Sequence, residues 1–452
     1  MSMKDYRSLA SELVSELKKQ GAEAADVFIL SSVGFNTTVR LGKIERLQQS
    51  ISKGLGLRVI KGGAMANTFT TDFTDRAVKD LARETMQIVQ VSNADKHNGL
   101  APKELLGSYD GKLMLFDESI AKLTPEKKIE MARSAEDVGL KFDKRIKNAN
   151  GTSWSDSRTQ VTLSNSDGFT GQYQMTQASL FVGLLAEDED GTKQTDGFFT
   201  FGRYLNTLAS PQAVGEEAAR RVVKKLGGRK VKSAVVPVVL DPRVGSFLLG
   251  DVFGAASGGS IYRRMSYLVD KVGQQIASPM ITIVDDAIMT DGVASRPFDA
   301  EGVKSSNVVA VEKGVLKQYV CDSYAARRLN LKPTGNASRS YQGNPGVGST
   351  NLYIKNGDTS PADIIKSVKS GLYLDRVGGQ GMNSTTGDFS MGANGYWIEN
   401  GEITHAVQEI TVAGNVRKML NNVKAVGNDL SFKLGTTASP TLLDSEITVG
   451  GE

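Results

Sequence analysis

Residues 395–407, GYWIENGEITHAV, contain the strongest turn signal in the chain, the pair Asn400-Gly401. Asparagine and glycine both tolerate the left-handed backbone of a two-residue hairpin loop, and residues that favour strands flank the pair on both sides. The segment therefore predicts two antiparallel strands joined by a tight turn. Residues 231–452 contain many glycines and similar turns, such as Lys313-Gly314, which predicts a β-dominated C-terminal domain.

The N-terminal part begins with a helical pattern and changes to strand patterns. Leu9, Leu13 and Leu17 recur every four residues, which predicts a helix with one buried face that ends near Gly21. Strand patterns follow up to residue 70, and a second helical pattern comes after them. Residues 1–92 thus predict a mixed α/β unit with an antiparallel sheet.

A second unit is predicted at residues 123–230, after an irregular connection. It runs from a helix through strands to a last helix, which Ser210 caps and Gly227-Gly228 ends. We place the main domain boundary near residue 230. The predicted fold class is α+β, with an N-terminal α/β region at 1–230, made of one or two units, and the β-rich domain at 231–452.

Composition limits the class of function. The 452 residues carry a net charge of only +4 and no long run of Lys or Arg, which argues against nucleic acid as the main ligand. The single cysteine, Cys321, excludes an internal disulfide framework and fits a reducing compartment. The N-terminal helix lacks the apolar core of a signal peptide, and no apolar run could cross a bilayer. We expect a cytoplasmic protein that binds no membrane.

A search for catalytic residues finds little in the sequence alone. A catalytic zinc usually has three protein ligands, but the chain has only two histidines, His97 and His405, and neither has a second histidine at ligand spacing. We interpret His97 as a loop residue and His405 as an ordinary strand residue. Cys321 precedes Asp322 and is expected to be a buried structural thiol.

Five segments resemble one known family, in the right order and over nearly the whole chain. Residues 386–420 (TGDFSMGANGYWIENGEITHAVQEITVAGNVRKML) and the terminal ITVGG at 447–451 resemble the last domain of the TldD/PmbA family. Residues 238–264 (VVLDPRVGSFLLGDVFGAASGGSIYRR) and 292–302 (GVASRPFDAEG) resemble the same domain. Residues 44–70 are similar to the family's opening sheet.

The resemblance also shows where this chain departs from the family's zinc-binding branch. That branch carries His-Glu-x-x-x-His, which falls on LLGDVFGA here, so that Gly250 and Ala255 stand in place of the histidines and Asp251 in place of the glutamate. The branch's third ligand is a cysteine shortly before ITVGG, and residues 428–449 contain none. Glycine and alanine offer no lone pair, and one carboxylate does not hold a catalytic zinc. The resemblance implies a TldE/PmbA-type member without a metal or cofactor of its own.

The implied function is that of a non-catalytic subunit in a TldD–TldE-type metalloprotease complex that degrades or matures short or unfolded peptides. A TldD-like catalytic subunit would supply the zinc as heterodimer partner, and the β-rich domain would form one wall of a peptide chamber. Two alternatives stay open. One is a self-sufficient peptidase that uses Asp251, Cys321 and Asp388, and the other is a non-enzymatic homodimeric binding protein.

Overall fold

The computed structural model describes residues 3–379 and 381–452. In these ranges the helices are α1 (Arg7–Lys19), α2 (Asp75–Val91), α3 (Glu118–Lys122), α4 (Pro125–Lys141), α5 (Pro211–Lys224), α6 (Pro242–Ala256), α7 (Gly258–Tyr262), α8 (Ser323–Leu329), α9 (Pro361–Lys366) and α10 (Val416–Asn422). The strands of the N-terminal part are β1 (Ala24–Arg40), β2 (Lys43–Lys61), β3 (Ala64–Thr70), β4 (Ile146–Asn165), β5 (Thr170–Glu187) and β6 (Lys193–Gly202).

The strands of the C-terminal part are shorter and more numerous. They are β7 (Ala234–Leu240), β8 (Ile283–Asp286), β9 (Asn307–Glu312), β10 (Val315–Leu316), β11 (Ala337–Ser338), β12 (Gly346–Val347), β13 (Asn351–Ile354), β14 (Ser370–Gly378), β15 (Asp388–Glu399), β16 (Glu402–Asn415), β17 (Val423–Val426), β18 (Thr437–Ala438) and β19 (Leu442–Gly450). Together with the helices they confirm the α+β fold class.

One antiparallel sheet of six strands spans the N-terminal part, in the order β3-β2-β1-β4-β5-β6. β1 pairs with β4 along its length, from Asp26 opposite Asn165 to Val39 opposite Thr152. The two units expected at 1–92 and 123–230 therefore share one sheet. α1 and α2 pack on its first half and α4 and α5 on its second, over two separate apolar cores.

The C-terminal part is built around a sheet in the order β16-β15-β14-β7-β19-β17. β16 also pairs with β19, at Thr411 to Ala413 opposite Gly450 to Thr448, so the sheet curls back on itself. β7 and β14 run parallel, and α6 directly follows β7 and packs into the largest apolar core of the chain. A second sheet, β10-β9-β8-β13-β18, completes this half.

The hairpin prediction at Asn400-Gly401 is confirmed. Both residues have positive φ, 52° and 80°, and Glu399 pairs with Glu402 across the turn, as a two-residue loop requires.

The connection after residue 92 is less irregular than expected, because it contains α3, which Asp117 caps by accepting from the backbone N–H of Ser119. The domain boundary near residue 230 stays a prediction. Among the described residues, no helix is both long and apolar enough to cross a membrane.

Candidate functional site

Helix α6 carries the positions that the sequence comparison singled out. β7 ends in three buried residues, and Asp241 after it caps the helix by accepting from the backbone N–H of Arg243 at 2.9 Å. Pro242 suits the first helical position because its missing N–H would have no partner there. Leu248 and Val252 then anchor the buried face of α6 in the core.

The three singled-out residues of α6 lie in different surroundings. Gly250 is exposed, and a Cβ added to it would meet nothing within 4 Å. Ala255 is 1% exposed and packs in the core. Asp251 lies between them and is half-buried. Its carboxylate accepts hydrogen bonds from the Tyr267 hydroxyl at 3.1 Å and the Ser384 hydroxyl at 2.8 Å. Burial, and next the Asp251 carboxylate, raise the pKa of Tyr267, so this hydroxyl stays a donor.

The side chains around this position do not fit a zinc ion. Gly250 and Ala255 have no donor atom, and both oxygens of Asp251 already accept hydrogen bonds. Within residues 3–379 and 381–452, no group of three or more His, Cys, Asp and Glu residues lies close enough together to hold a metal. A catalytic zinc needs three protein ligands. That this chain carries no metal stays a prediction.

The other candidate residues differ from Asp251 in burial and in their hydrogen-bond partners. Cys321 is fully buried, and burial raises the pKa of its thiol to about 12, which is the opposite of what a nucleophile needs. Asp388 is exposed and accepts from the Asn415 amide at 2.8 Å. In the described part of the chain, no hydrogen bond joins Cys321 to Asp251 or Asp388. In the connection after residue 92, His97 Nδ1 lies 2.8 Å from Asp95 Oδ1. His405 is on β16, and its Nδ1 lies 3.2 Å from Arg229 Nη2.

A cleft of about 510 Å³ lies between the first sheet and α6. Phe198 and Phe199 from β6 and Phe247 from α6 form much of its apolar lining. Phe247 is 46% exposed and precedes Gly250 by one helical turn, so the cleft adjoins the exposed face of α6. A cleft lined by apolar side chains with a few polar groups is the usual form of a binding site.

A chain of ion pairs forms the polar wall of this cleft and joins the two halves of the protein. Asp196 on β6 contacts Lys225 Nζ at 2.6 Å and Arg376 Nη2 at 2.8 Å. Lys225 Nζ lies 3.9 Å from Asp375, which also pairs with Arg243 of α6. Lys225, at the C-terminal end of α5, thus connects Asp196 of the first sheet to α6 through Asp375. Sequence reasoning missed this set, because its members are far apart in the chain.

The strand β6 presents its outer edge, which no further strand covers, to the cleft. It is the last strand of the first sheet, and the backbone N–H of Phe201 points away from β5, toward the carbonyl of Lys433 at 3.1 Å. Because outward and inward groups alternate along a strand, the backbone groups of Thr195, Gly197 and Phe199 also point outward. The N–H of Gly197 donates to the Asp196 carboxylate at 2.7 Å, and outside the sheet ladders of the described residues no backbone carbonyl accepts from the N–H of Thr195 or Phe199.

Models of three family domains match this chain in order. They are PmbA/TldA metallopeptidase domain 1 at residues 25–89, the central domain at 118–226 and the C-terminal domain at 233–451. Metalloprotease PmbA of Escherichia coli O157:H7 is 33% identical over 99% of this chain and 97% of its own length. The PmbA homolog of Haemophilus influenzae is 32% identical over 97% of this chain and 95% of its own.

A solved structure agrees with these sequence matches. The crystal structure of a Bacteroides thetaiotaomicron protein, named as a candidate modulator of DNA gyrase, is similar with a TM-score of 0.91 and 29% identity, covering 100% of both chains. The family models and the relatives cover the first sheet and the α6 region alike. This chain therefore belongs to the TldD/PmbA family of metallopeptidase-like proteins.

Proposed function

We propose that this chain is the non-catalytic subunit of a TldD–TldE-type metalloprotease complex that degrades or matures short or unfolded peptides. The proposal is carried by Gly250 and Ala255. These two residues stand where the zinc-binding branch of the family has histidines, and their side chains have no atom that could bind the metal. The catalytic zinc is then held by a TldD-like partner. The low net charge and the single buried thiol fit a cytoplasmic protein.

The edge of β6 supports peptides as the ligands. An extended peptide can add to an unpaired strand edge through main-chain hydrogen bonds, which tolerate many sequences. Thr195 and Phe199 offer such bonds within the cleft, and Phe198 and Phe247 offer apolar contacts for alternate side chains. A folded protein has few free strand edges, so this binding mode favours short or unfolded peptides.

The strand β2 supports a protein partner. β3 covers only Leu55–Lys61 of β2, so residues 43–54 form an open sheet edge. Ile44, Leu47 and Ile51 on this edge are 42%, 56% and 70% exposed. Proteins rarely leave apolar side chains on an open edge unless a partner covers them. We assign this apolar edge to the TldD-like subunit.

Reconstitution tests the main proposal. A TldD-like chain with an intact His-Glu-x-x-x-His motif is mixed with this chain, and cleavage of an unstructured peptide is measured with and without a chelator. We expect chelator-sensitive cleavage from the mixture and none from this chain alone. Equal cleavage by the partner alone would sink the proposal. Cleavage by this chain alone that survives chelator would favour the self-sufficient peptidase.

Two variants separate peptide binding from assembly. Thr195→Pro removes an outward N–H from β6 and should weaken peptide cleavage by the mixture, while Thr195→Val keeps the N–H and should not. Ile51→Glu should abolish co-purification with the partner, and Val91→Asp, which changes a side chain 85% exposed on α2, should not. If Ile51→Glu instead breaks a dimer of this chain alone, the homodimeric binding protein is favoured.

A further inference from the structure

A second cavity, of about 260 Å³, lies between the first sheet and residues 293–300 of the C-terminal half. Phe28, Val161 and Met175 form an apolar wall on the sheet side. The cavity shares no lining residue with the cleft beside α6. It is therefore a separate space, slightly smaller than the range of about 300–1,000 Å³ that is usual for drug-sized ligands.

Three arginines line this cavity, and the first is almost completely buried. Arg203 is 1% exposed and donates to the backbone carbonyls of Gly292 at 2.7 Å, Ser295 at 2.9 Å and Leu115 at 3.4 Å. In the part of the chain that the structure describes, no carboxylate pairs with it. Burial lowers its pKa to about 10, so the guanidinium is still charged at neutral pH. A buried charge without a counter-ion is costly.

The other two arginines differ in their charge partners, since Arg339 pairs with Asp26 and Arg296 pairs with no carboxylate among the described residues. Arg296 donates through Nη2 to the carbonyl of Gly335 at 3.2 Å, but its buried Nε has no partner among the described residues. The Arg339 side chain is 2% exposed, and its Nε also lacks a partner in the described ranges. Arg339 Nη2 lies 2.7 Å from Asp26, as an ion pair without hydrogen-bond geometry.

The one carboxylate that lines the cavity does not use these donors. Asp299 accepts instead from the backbone N–H groups of Glu301, Val303 and Ala337 at 2.9 to 3.0 Å. Burial, and next the Glu301 carboxylate, raise the pKa of Asp299 to about 6, so Asp299 is still mostly charged at neutral pH. The lining therefore presents two guanidinium groups without a carboxylate partner, Arg203 and Arg296, while Asp26 pairs with Arg339 and backbone N–H groups engage Asp299.

We propose that this cavity binds a small organic carboxylate of about amino-acid size. The Arg296 guanidinium receives the carboxylate, since it matches the planar, two-oxygen geometry, and the unpaired charge of Arg203 favours an anion beside it. The apolar wall of Phe28, Val161 and Met175 receives the hydrocarbon part, which a purely inorganic anion lacks. The inference does not depend on the peptidase partnership, because it rests on a different set of residues.

Calorimetric titration of the full chain with two matched probes tests the inference. N-acetyl-leucine carries a free carboxylate, and N-acetyl-leucinamide has nearly the same shape without the charge. We expect saturable binding of the acid and affinity for the amide that is lower by about tenfold or more, because hydrogen bonds to a charged group are lost. Equal affinities for the two probes, or no binding of either, overturns the inference. This measurement needs only the unmodified chain.

Variants and an inorganic anion complete the test. Arg296→Gln should weaken binding of N-acetyl-leucine by about tenfold or more, and Arg133→Gln, at an exposed position on α4, should leave it unchanged. Thermal unfolding without ligand checks that both variants are folded. Saturable binding of inorganic phosphate with no binding of N-acetyl-leucine would overturn the assignment to organic carboxylates.

Discussion

The two ends of α6 hold carboxylates in opposite surroundings. At the N-terminal end, Asp241 and Asp375 both contact the guanidinium of Arg243, with 2.8 Å between Arg243 Nε and Asp241 Oδ1. Near the C-terminal end, Asp251 has only the neutral hydroxyls of Tyr267 and Ser384. The charges of α6 are thus concentrated where it joins the rest of the protein, and the metal-ligand positions of the family carry none.

This difference indicates what the helix still does. Its first turn belongs to the ion-pair chain that links α6 to Asp196 of the first sheet, so it holds the two halves in place. Its later turns expose glycines at 250 and 254, around which a Cβ would meet nothing within 4 Å. The first turn of α6 therefore supports the cleft, whereas the exposed face of its later turns is free of close packing. Four substitutions test this contrast, from the largest expected effect to the smallest.

Arg243→Ala should destabilise the protein most. It leaves the buried Asp241 without its cation and the buried Asp375 with only Lys225 at 3.9 Å, and removal of one partner of a buried pair costs about 3–5 kcal/mol. Urea unfolding measures the shift. Arg220→Ala is the control, because its ion pair with Glu217 is 60% and 29% exposed and should contribute at most about 1 kcal/mol. Equal shifts for both variants would contradict a structural role for the first turn.

Asp444→Asn should change the pH dependence of stability. Asp444 lies beneath α6 in an apolar pocket, and burial raises its pKa to about 7. The folded state then binds the proton more tightly than the unfolded state, so the wild type loses stability as pH rises from about 4 to 7, by up to about 4 kcal/mol. The variant should lack this loss, since asparagine does not ionise. Identical stability profiles at pH 4–8 would show that Asp444 has an ordinary pKa.

Gly250→Ala should stabilise the protein by about 0.5–1 kcal/mol, because alanine favours a helix and its Cβ finds open space. Gly245→Ala, on the same helix, is the matched control. Its Cβ would lie 2.4 Å from the Ser439 hydroxyl oxygen and 2.7 Å from the Ser439 Cβ, so it should destabilise. Thermal unfolding distinguishes the two. A destabilising Gly250→Ala would mean that this position is packed rather than open.

Asp251→Asn should have the smallest effect, below about 1 kcal/mol, since an amide oxygen can still accept from a neutral hydroxyl. The pKa of Tyr267 should fall, because the neighbouring carboxylate contributes to raising it, but burial should keep it above the usual value. Spectrophotometric titration of the wild type and the variant measures this difference. A strong loss of stability would show that the Asp251 charge supports the helix after all.

Local features of the fold could be predicted from the sequence. Asn400-Gly401 forms its turn because both residues tolerate positive φ, whatever surrounds them. Ser210 caps α5 by accepting from the backbone N–H of Ala213 at 3.2 Å, as the Ser-Pro pair predicted. The strand patterns predicted up to residue 70 form β1, β2 and β3, and pairing with β2 and β4 satisfies the backbone of the polar second half of β1.

The sequence by itself determined which side-chain atoms are present at the family's metal-ligand positions, because the side chain of a glycine or an alanine offers no ligand atom in any fold. Only the tertiary structure decided what surrounds them. The ion-pair chain joins Asp196 to Arg376, and the second cavity brings Arg203, Arg296 and Arg339 together from distant parts of the chain. Such contacts depend on how sheets and loops pack against one another, and no local pattern of residues encodes that packing.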